Sequence, residues 1–338
     1  MAARSGLPLV DGFGRVATDL RVSLTDRCNL RCTYCMPAEG LPWLDREELL
    51  TNAELTRLIR VGVERLGITS VRLTGGEPLL RSDLIEIVAG IDALRPRPRI
   101  ALTTNGIGLA KRAEELARAG LDRLNISLDT LDPQTFAALT RRRRLPDVLA
   151  GIRAAVAAGL HPVKINSVLM RGVNDHEAAH LVEWAIGEGV QLRFIEQMPL
   201  DAQHGWRRTE MITADEIHAR IATRFRLVED PADRLARGSA PAELFRVEGT
   251  DARVGVIASV SRPFCGNCDR VRLTADGQIR NCLFAREESD LRSALRGGAD
   301  DEELARRWLS AVAGKRAGHG IDDPGFLQPE RPMSAIGG

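Results

Sequence analysis

All six cysteines of the chain fall into two triplets, Cys28-x3-Cys32-x2-Cys35 near one end and Cys265-x2-Cys268-x13-Cys282 near the other. Four protein ligands close a structural zinc site, and four cysteines usually hold an iron-sulfur cluster that only carries electrons. Three thiolates leave one metal position free for a small molecule, as a catalytic zinc keeps one for water. A 4Fe-4S cluster on each triplet would keep one open iron, making both sites chemical rather than structural. The same six residues could form three disulfides. However, Met1–Asp19 lacks the apolar segment of a secretory signal, and closely spaced thiols in a reducing compartment point to metal or redox chemistry. Zinc at the second triplet, completed by a distant histidine, stays open on spacing alone.

At 338 residues with 44% hydrophobic content, the chain buries a large core without help from metal. Its 47 basic and 46 acidic residues nearly cancel, so no global field recruits nucleic acid or an anionic membrane, and any polyanion must be bound locally. The run Arg141–Arg144 reads as solvated surface with no site role. No apolar run reaches the roughly 18 residues of a membrane span, so a soluble, cytoplasmic protein is expected. Only three of the basic residues are lysines. Lys111 and Lys315 lie in polar or Gly-rich stretches where solvent is the expected partner. Lys164 sits inside a strand-like run and cannot simply enter an apolar core.

From Leu20 to about Met198, short β-branched runs alternate with amphipathic helical stretches. Strands are expected at Leu20–Thr25, Ser70–Thr74, Arg99–Thr103, Arg123–Leu128, Val163–Leu169 and Gln191–Gln197. Helices are expected at Asn52–Leu66, Asp83–Leu94, Leu109–Ala119, Leu145–Ala158 and Asp175–Glu188, with Gly67, Gly120, Gly159 and Gly189 as stop signals. Repeated β-then-α units argue for an α/β fold with a parallel sheet, and six of them suit an incomplete (β/α)6 barrel of TIM type. Working residues of such a barrel lie beyond the carboxyl ends of its strands. Cys28, Cys32 and Cys35 follow the first strand, Gly75-Gly76-Glu77-Pro78 the second, Thr104-Asn105-Gly106 the third and Met198-Pro199 the sixth, so they should converge on one rim. Short strands at Phe225–Glu229, Leu244–Val247 and Val254–Ser259, then the second triplet, suggest a smaller mixed C-terminal domain. The expected division is 1–224 and 225–338, with Gly314–Gly338 extended or mobile.

The first triplet, with Tyr34 before its last cysteine and the Gly-Gly-Glu-Pro run after the next strand, resembles the radical S-adenosylmethionine (SAM) superfamily. With the second triplet the resemblance narrows, over nearly the whole chain, to the GTP 3′,8-cyclase family. It implies a 4Fe-4S cluster on Cys28, Cys32 and Cys35 that binds and reductively cleaves SAM, with Tyr34, Gly76, Ser127 and Met198 as SAM contacts. It implies a second 4Fe-4S cluster on Cys265, Cys268 and Cys282 that orients the guanine. Arg21, Arg72, Thr103, Lys164, Arg270, Val271 and Arg272 match the family's GTP positions. Gly75 and Gly76 allow close backbone approach, and Glu77 and nearby carbonyls can accept from the SAM ammonium. No Gly-x4-Gly-Lys-[Ser/Thr] loop is present, which fits a reaction that leaves the phosphates intact.

The implied reaction removes the 3′ hydrogen of GTP and joins C3′ to C8, the first step toward the molybdenum cofactor. A reducing electron donor and a downstream cyclic pyranopterin monophosphate synthase are the implied partners, a homodimer is left open, and Gly337-Gly338 resembles the family's tail that enters the active site. Two alternatives stand beside this: a different radical SAM enzyme with an auxiliary cluster, and a non-catalytic iron-sulfur or zinc protein.

Overall fold

The computed structural model describes residues 7–337. β1 (Asp19–Ser23) leads through the first cysteine loop to α1 (Asn52–Leu66). That helix starts at a reciprocal Thr51–Glu54 capping box and stops at Gly67, whose left-handed conformation suits a residue without Cβ. β2 (Ser70–Thr74), α2 (Leu84–Asp92), β3 (Arg99–Thr104), α3 (Ala113–Arg118) and β4 (Arg123–Ser127) follow. The sequence reading does not anticipate α4 (Pro133–Thr140), although Asp132 caps it through the Thr135 N–H and Pro133 opens it. α5 (Leu145–Ala157), β5 (Val163–Val168), α6 (Ala178–Gly187) and β6 (Gln191–Ile195) complete six units, and α7 (Ala214–Ile221) starts at a second capping box.

The remaining elements are β7 (Leu227–Glu229), α8 (Pro231–Ala236), β8 (Glu243–Val247), β9 (Arg253–Ile257), β10 (Arg270–Leu273), β11 (Gln278–Arg280), β12 (Ser289–Asp290), α9 (Arg292–Arg296), α10 (Asp301–Ala313) and α11 (Met333–Ile336). Their strands join the same twelve-stranded sheet, ordered β12-β11-β10-β1-β2-β3-β4-β5-β6-β9-β8-β7. β9 runs parallel to β6 and β10 parallel to β1, so the six-unit barrel gains a parallel strand on each side. β9 and β10 do not pair with each other. Residues 258–269 span that open seam, descending from the carboxyl end of β9 to the amino end of β10, and they carry Cys265 and Cys268.

One buried carboxylate anchors the start of this seam loop. Glu196, just past β6 and 1% exposed, accepts from the Val260 and Ser261 N–H groups at 2.8 Å each and from the Ala214 N–H at 2.8 Å. The Ser261 hydroxyl donates to it as well. Barrel strand, seam loop and the start of α7 thereby share one acceptor.

Alternation along the strands sets the barrel's character. Leu20, Val22, Val71, Leu73, Leu124 and Ile126 are buried in the outer core with the apolar faces of the helices. The residues between them are polar and line the lumen: Arg21, Arg72, Thr103, Asn125, Lys164 and Arg193. Strand period two makes this division obligatory once the apolar set faces the helices. Among the described residues no helix is long and apolar enough to cross a membrane.

Replacing Glu196 by Ala leaves two buried and one part-buried backbone N–H groups without an acceptor, at about 1–3 kcal/mol each. Urea unfolding of Glu196→Ala is therefore expected to show a loss of at least about 3 kcal/mol; a loss below about 1 kcal/mol would contradict the anchoring role.

Candidate functional site

The lumen opens into a cavity of about 540 Å³, within the range of small-molecule sites. Strand register builds its wall. Arg21 of β1 lies between Arg272 of β10 and Arg72 of β2, while Thr103, Asn125 and Lys164 follow one another across β3, β4 and β5. Arg99, Arg123, Arg193 and Arg270 complete a basic lining that Asp19 and Asp269 only partly offset. Arg193 donates to Asn125 Oδ1 at 2.8 Å and Asn166 Oδ1 at 2.7 Å. The Nε groups of Arg21, Arg72 and Arg193 are buried without a hydrogen-bond partner. Burial and the Arg21 charge pull Arg72 down to about 9, and burial with the Arg72, Arg21 and Arg123 charges does the same to Arg193. Burial, then Arg193, Arg123 and Arg72, pulls Lys164 down to about 7. Buried cations with idle donors fit a polyanion, whose oxygens supply both the charge and the missing acceptors.

A second cavity of about 180 Å³ is lined by Cys28, Cys32 and Cys35 together with Tyr34, Gly75, Gly76, Ser127 and Asp129. Thr103 lines both cavities. Gly76 is required here: a Cβ would stand 2.2 Å from the Arg27 carbonyl oxygen, and its N–H donates to the Thr25 carbonyl at 2.8 Å. Tyr34 donates to Asp129 Oδ2 at 2.7 Å, and burial raises the Asp129 carboxyl to about 6. Burial pushes the Cys28 thiol up to about 11, and burial with the Cys28 charge pushes Cys35 up to about 12. Crowded buried thiols of this kind fit iron, which binds the thiolate form and inverts that preference.

Glu77 does not line this cavity. It is 1% exposed and is used up accepting from Leu79 N–H at 2.9 Å, Thr104 Oγ1 at 2.7 Å and Asn105 N–H at 2.7 Å. It braces the loops after β2 and β3 rather than meeting a ligand ammonium. Arg141 likewise departs from the solvated-surface expectation: Nη1 donates to the Arg31 and Met36 carbonyls at 2.9 and 3.1 Å, clasping the cysteine loop.

Cys265, Cys268 and Cys282 line the large cavity, Cys282 being returned to the other two by the β10–β11 hairpin. Because Cys268 lies two residues before β10, this triplet lies at the amino end of the barrel, opposite the Cys28 loop at its carboxyl end. Burial pushes the Cys268 thiol up, but the charges of Arg270 and Lys315, with hydrogen bonds from the Arg270 N–H and Lys315, together outweigh it and hold the thiol below its usual value. All six cysteines are free. Among the described residues no group of three or more His, Cys, Asp or Glu side chains is placed to hold a metal ion.

Three of the four residues matched to SAM, Tyr34, Gly76 and Ser127, line the small cavity, whereas Met198 lines the large one. Of the GTP set, Arg21, Arg72, Thr103, Lys164, Arg270 and Arg272 line the large cavity. Val271 is fully buried among the outer apolar residues. The nucleotide candidates do not gather at the carboxyl rim. Arg21 and Arg72 are mid-strand, and Lys164 and Arg270 lie near the amino ends, because the lumen is polar through its depth. Arg99, Arg123, Arg193 and Asn125 escaped the sequence reading. Their signal was a polar residue at every second strand position.

The C-terminal stretch is not loose over its described part. Arg331 pairs with Asp276 at 2.7 Å, the Gln328 amide donates to the Asp201 carbonyl at 2.6 Å, and α11 follows. Gly337 then enters between Ser23 and Thr74, where a Cβ would come within 2.7 Å of either side chain, and its carbonyl accepts from Arg272. Gly338 lies outside the described residues.

The family model "Radical SAM superfamily" matches residues 22–185, and "Molybdenum Cofactor Synthesis C" matches residues 190–321. A GTP 3′,8-cyclase of Streptomyces coelicolor is 62% identical over 338 residues, covering 100% of this chain and 98% of that protein. A GTP 3′,8-cyclase of Mycobacterium strain KMS is 63% identical over 331 residues, with 98% and 94% covered. Among solved structures, Streptococcus suis SuiB bound to S-adenosylmethionine shares the fold at a TM-score of 0.59 and 13% identity, over 83% of this chain and 66% of that one. With two cysteine triplets at opposite ends of one basic lumen and this kinship over its full length, the chain belongs to the GTP 3′,8-cyclase family of the radical SAM superfamily.

Proposed function

We propose that the protein converts GTP to (8S)-3′,8-cyclo-7,8-dihydroguanosine 5′-triphosphate, opening molybdenum cofactor biosynthesis. The observation that carries this is a polyanion-seeking cavity enclosed between the two triplets. Cys28, Cys32 and Cys35 would hold a 4Fe-4S cluster with SAM, and this pair supplies the radical that takes hydrogen from the nucleotide. Tyr34, Gly76 and Ser127 position SAM from the small cavity, and Met198 from the large one. Arg21, Arg72, Lys164, Arg270 and Arg272 hold the triphosphate, with Thr103 at the boundary between the cavities. Val271 serves by staying buried outward, which turns its two arginine neighbours inward. Cys265, Cys268 and Cys282, which line the large cavity, would hold a second 4Fe-4S cluster that would serve to orient the guanine. Residues 1–224 thus carry the SAM half and 225–338 the base-orienting half. The enclosing walls matter because a radical reacts with whatever lies nearest, so a fixed substrate pose is the selectivity. A reducing electron donor, a downstream cyclic pyranopterin monophosphate synthase and a cytoplasmic setting complete the proposal.

Anaerobic turnover of the cluster-reconstituted protein with SAM, a reductant and GTP deuterated at C3′ is expected to place deuterium in 5′-deoxyadenosine. Unlabelled 5′-deoxyadenosine would sink the assigned position. Cys265→Ala should still cleave SAM while losing the cyclised product, and Cys28→Ala should lose both.

Lys164 makes GTP binding pH-dependent. With its pKa depressed to about 7 it is mostly neutral at pH 8.5, and an arriving phosphate restores the ammonium. Binding therefore takes up a proton, and affinity should rise roughly tenfold from pH 8.5 to 6.5 beyond the nucleotide's own titration. Calorimetry in buffers of different ionisation enthalpy reads this uptake. Lys164→Met should abolish the lysine's share, and an unchanged uptake in that variant would exclude Lys164.

A further inference from the structure

The second triplet is held from outside the cavity by two cations. Arg15, near the N-terminal Val10–Val16 bridge, donates from Nη1 to the Cys265 carbonyl at 2.7 Å and the Ala317 carbonyl at 2.8 Å. Its Nε pairs with Asp11 at 2.5 Å, so its charge is already balanced. Lys315, just beyond α10, has no such balance. It is 5% exposed, against the expectation of a solvated side chain. Its Nζ lies 2.8 Å from the Arg270 carbonyl, 3.2 Å from the Cys268 carbonyl and 3.3 Å from Cys268 Sγ.

Three acceptors meet an ammonium that has three protons to give. Among the described residues no carboxylate lies within ion-pair distance of Lys315. A buried ammonium without a counter-charge is costly, and the sulfur of Cys268 is the one contact able to carry a negative charge. Lys315 does not line the cavity, so it reaches Cys268 from behind and leaves the substrate side open. Its compact head suits the site, since a planar guanidinium directs its donors in a fixed fork and would not turn them onto three clustered acceptors.

We propose that Lys315 is a positioning residue of the second cluster, donating a charged hydrogen bond to the Cys268 sulfur and raising the cluster's reduction potential. This rests on the proposed function, in which Cys265, Cys268 and Cys282 hold a cluster. Reduction adds negative charge to the cluster, and an N–H donor and a cation against a ligating sulfur favour that more negative state.

The test isolates the second site in a full-length chain carrying Cys28→Ala, Cys32→Ala and Cys35→Ala, reconstituted anaerobically. Iron and sulfide are counted, and the midpoint potential is read by redox titration with electron paramagnetic resonance. Lys315→Met and Lys315→Gln, added to this background, are expected to shift the midpoint to more negative potential, with Lys315→Arg between them and the parent. Loss of iron in the Met and Gln variants that Lys315→Arg restores would equally support the assignment. Retention of the cluster at the parent's potential in both neutral variants overturns it. If the parent background itself takes up no iron, the second-cluster reading fails and this proposal falls with it.

Discussion

Buried positive charge inside the barrel is the constraint on which the rest of the structure depends. Arg272, Arg21 and Arg72 occupy neighbouring strands in register. Adjacent strands lie about 5 Å apart, where two like charges at an effective dielectric of 20 repel by about 3 kcal/mol, less as the long side chains splay. A folded chain tolerates this only if the opposite faces of the same strands hold the sheet in place. Leu20, Val22, Val71 and Leu73, each fully buried under the helices, do so. The barrel is therefore stable on its outside and frustrated on its inside, and a polyanionic ligand relieves the frustration. The common interior of eight-stranded barrels, layers of branched apolar residues, would leave no room for one.

The open seam gives the lumen two chemically different ends. A closed barrel would pair β9 with β10; here the connecting residues 258–269 cross the gap and deliver Cys265 and Cys268 to the amino end. Glu196 fixes the start of that crossing, and Arg15 and Lys315 fix its end. The carboxyl end is occupied by the Cys28 loop, which packs down because Gly75 and Gly76 let main chain meet main chain. Gly337 uses the same freedom when it passes between Ser23 and Thr74 to reach Arg272. Between those ends, Thr103 lines both cavities, so the two sites adjoin at that residue.

Much of this was legible in the residues. The first six strands lie within a residue or two of their expected bounds, because β-branched runs and glycine stops mark them locally. β10, β11 and β12 were not anticipated, although Arg270-Val271-Arg272-Leu273 alternates and Asp276-Gly277 is a hairpin signal. Lys315 and Arg141 were taken as solvated because their neighbours in sequence are Gly-rich or charged. Their partners, Cys268 and Met36, lie 47 and 105 residues away. Glu77 was read as a ligand group, and only the fold shows its oxygens consumed by the next loop.

The sequence by itself determined two sets of three cysteines at spacings suited to metal chemistry, and a strand alternation that puts polar side chains such as Arg21, Arg72, Asn125 and Arg193 opposite the apolar face. These follow from residue type and local period, which need no knowledge of distant contacts. Tertiary structure alone decided that the two sets stand at opposite ends of a single lumen. It also decided that arginines from separate strands line one cavity, and which cations lie against the cysteine sets rather than in solvent. Each of these depends on strand order and register, set by how the apolar faces of distant segments pack together, and no local spacing encodes that packing.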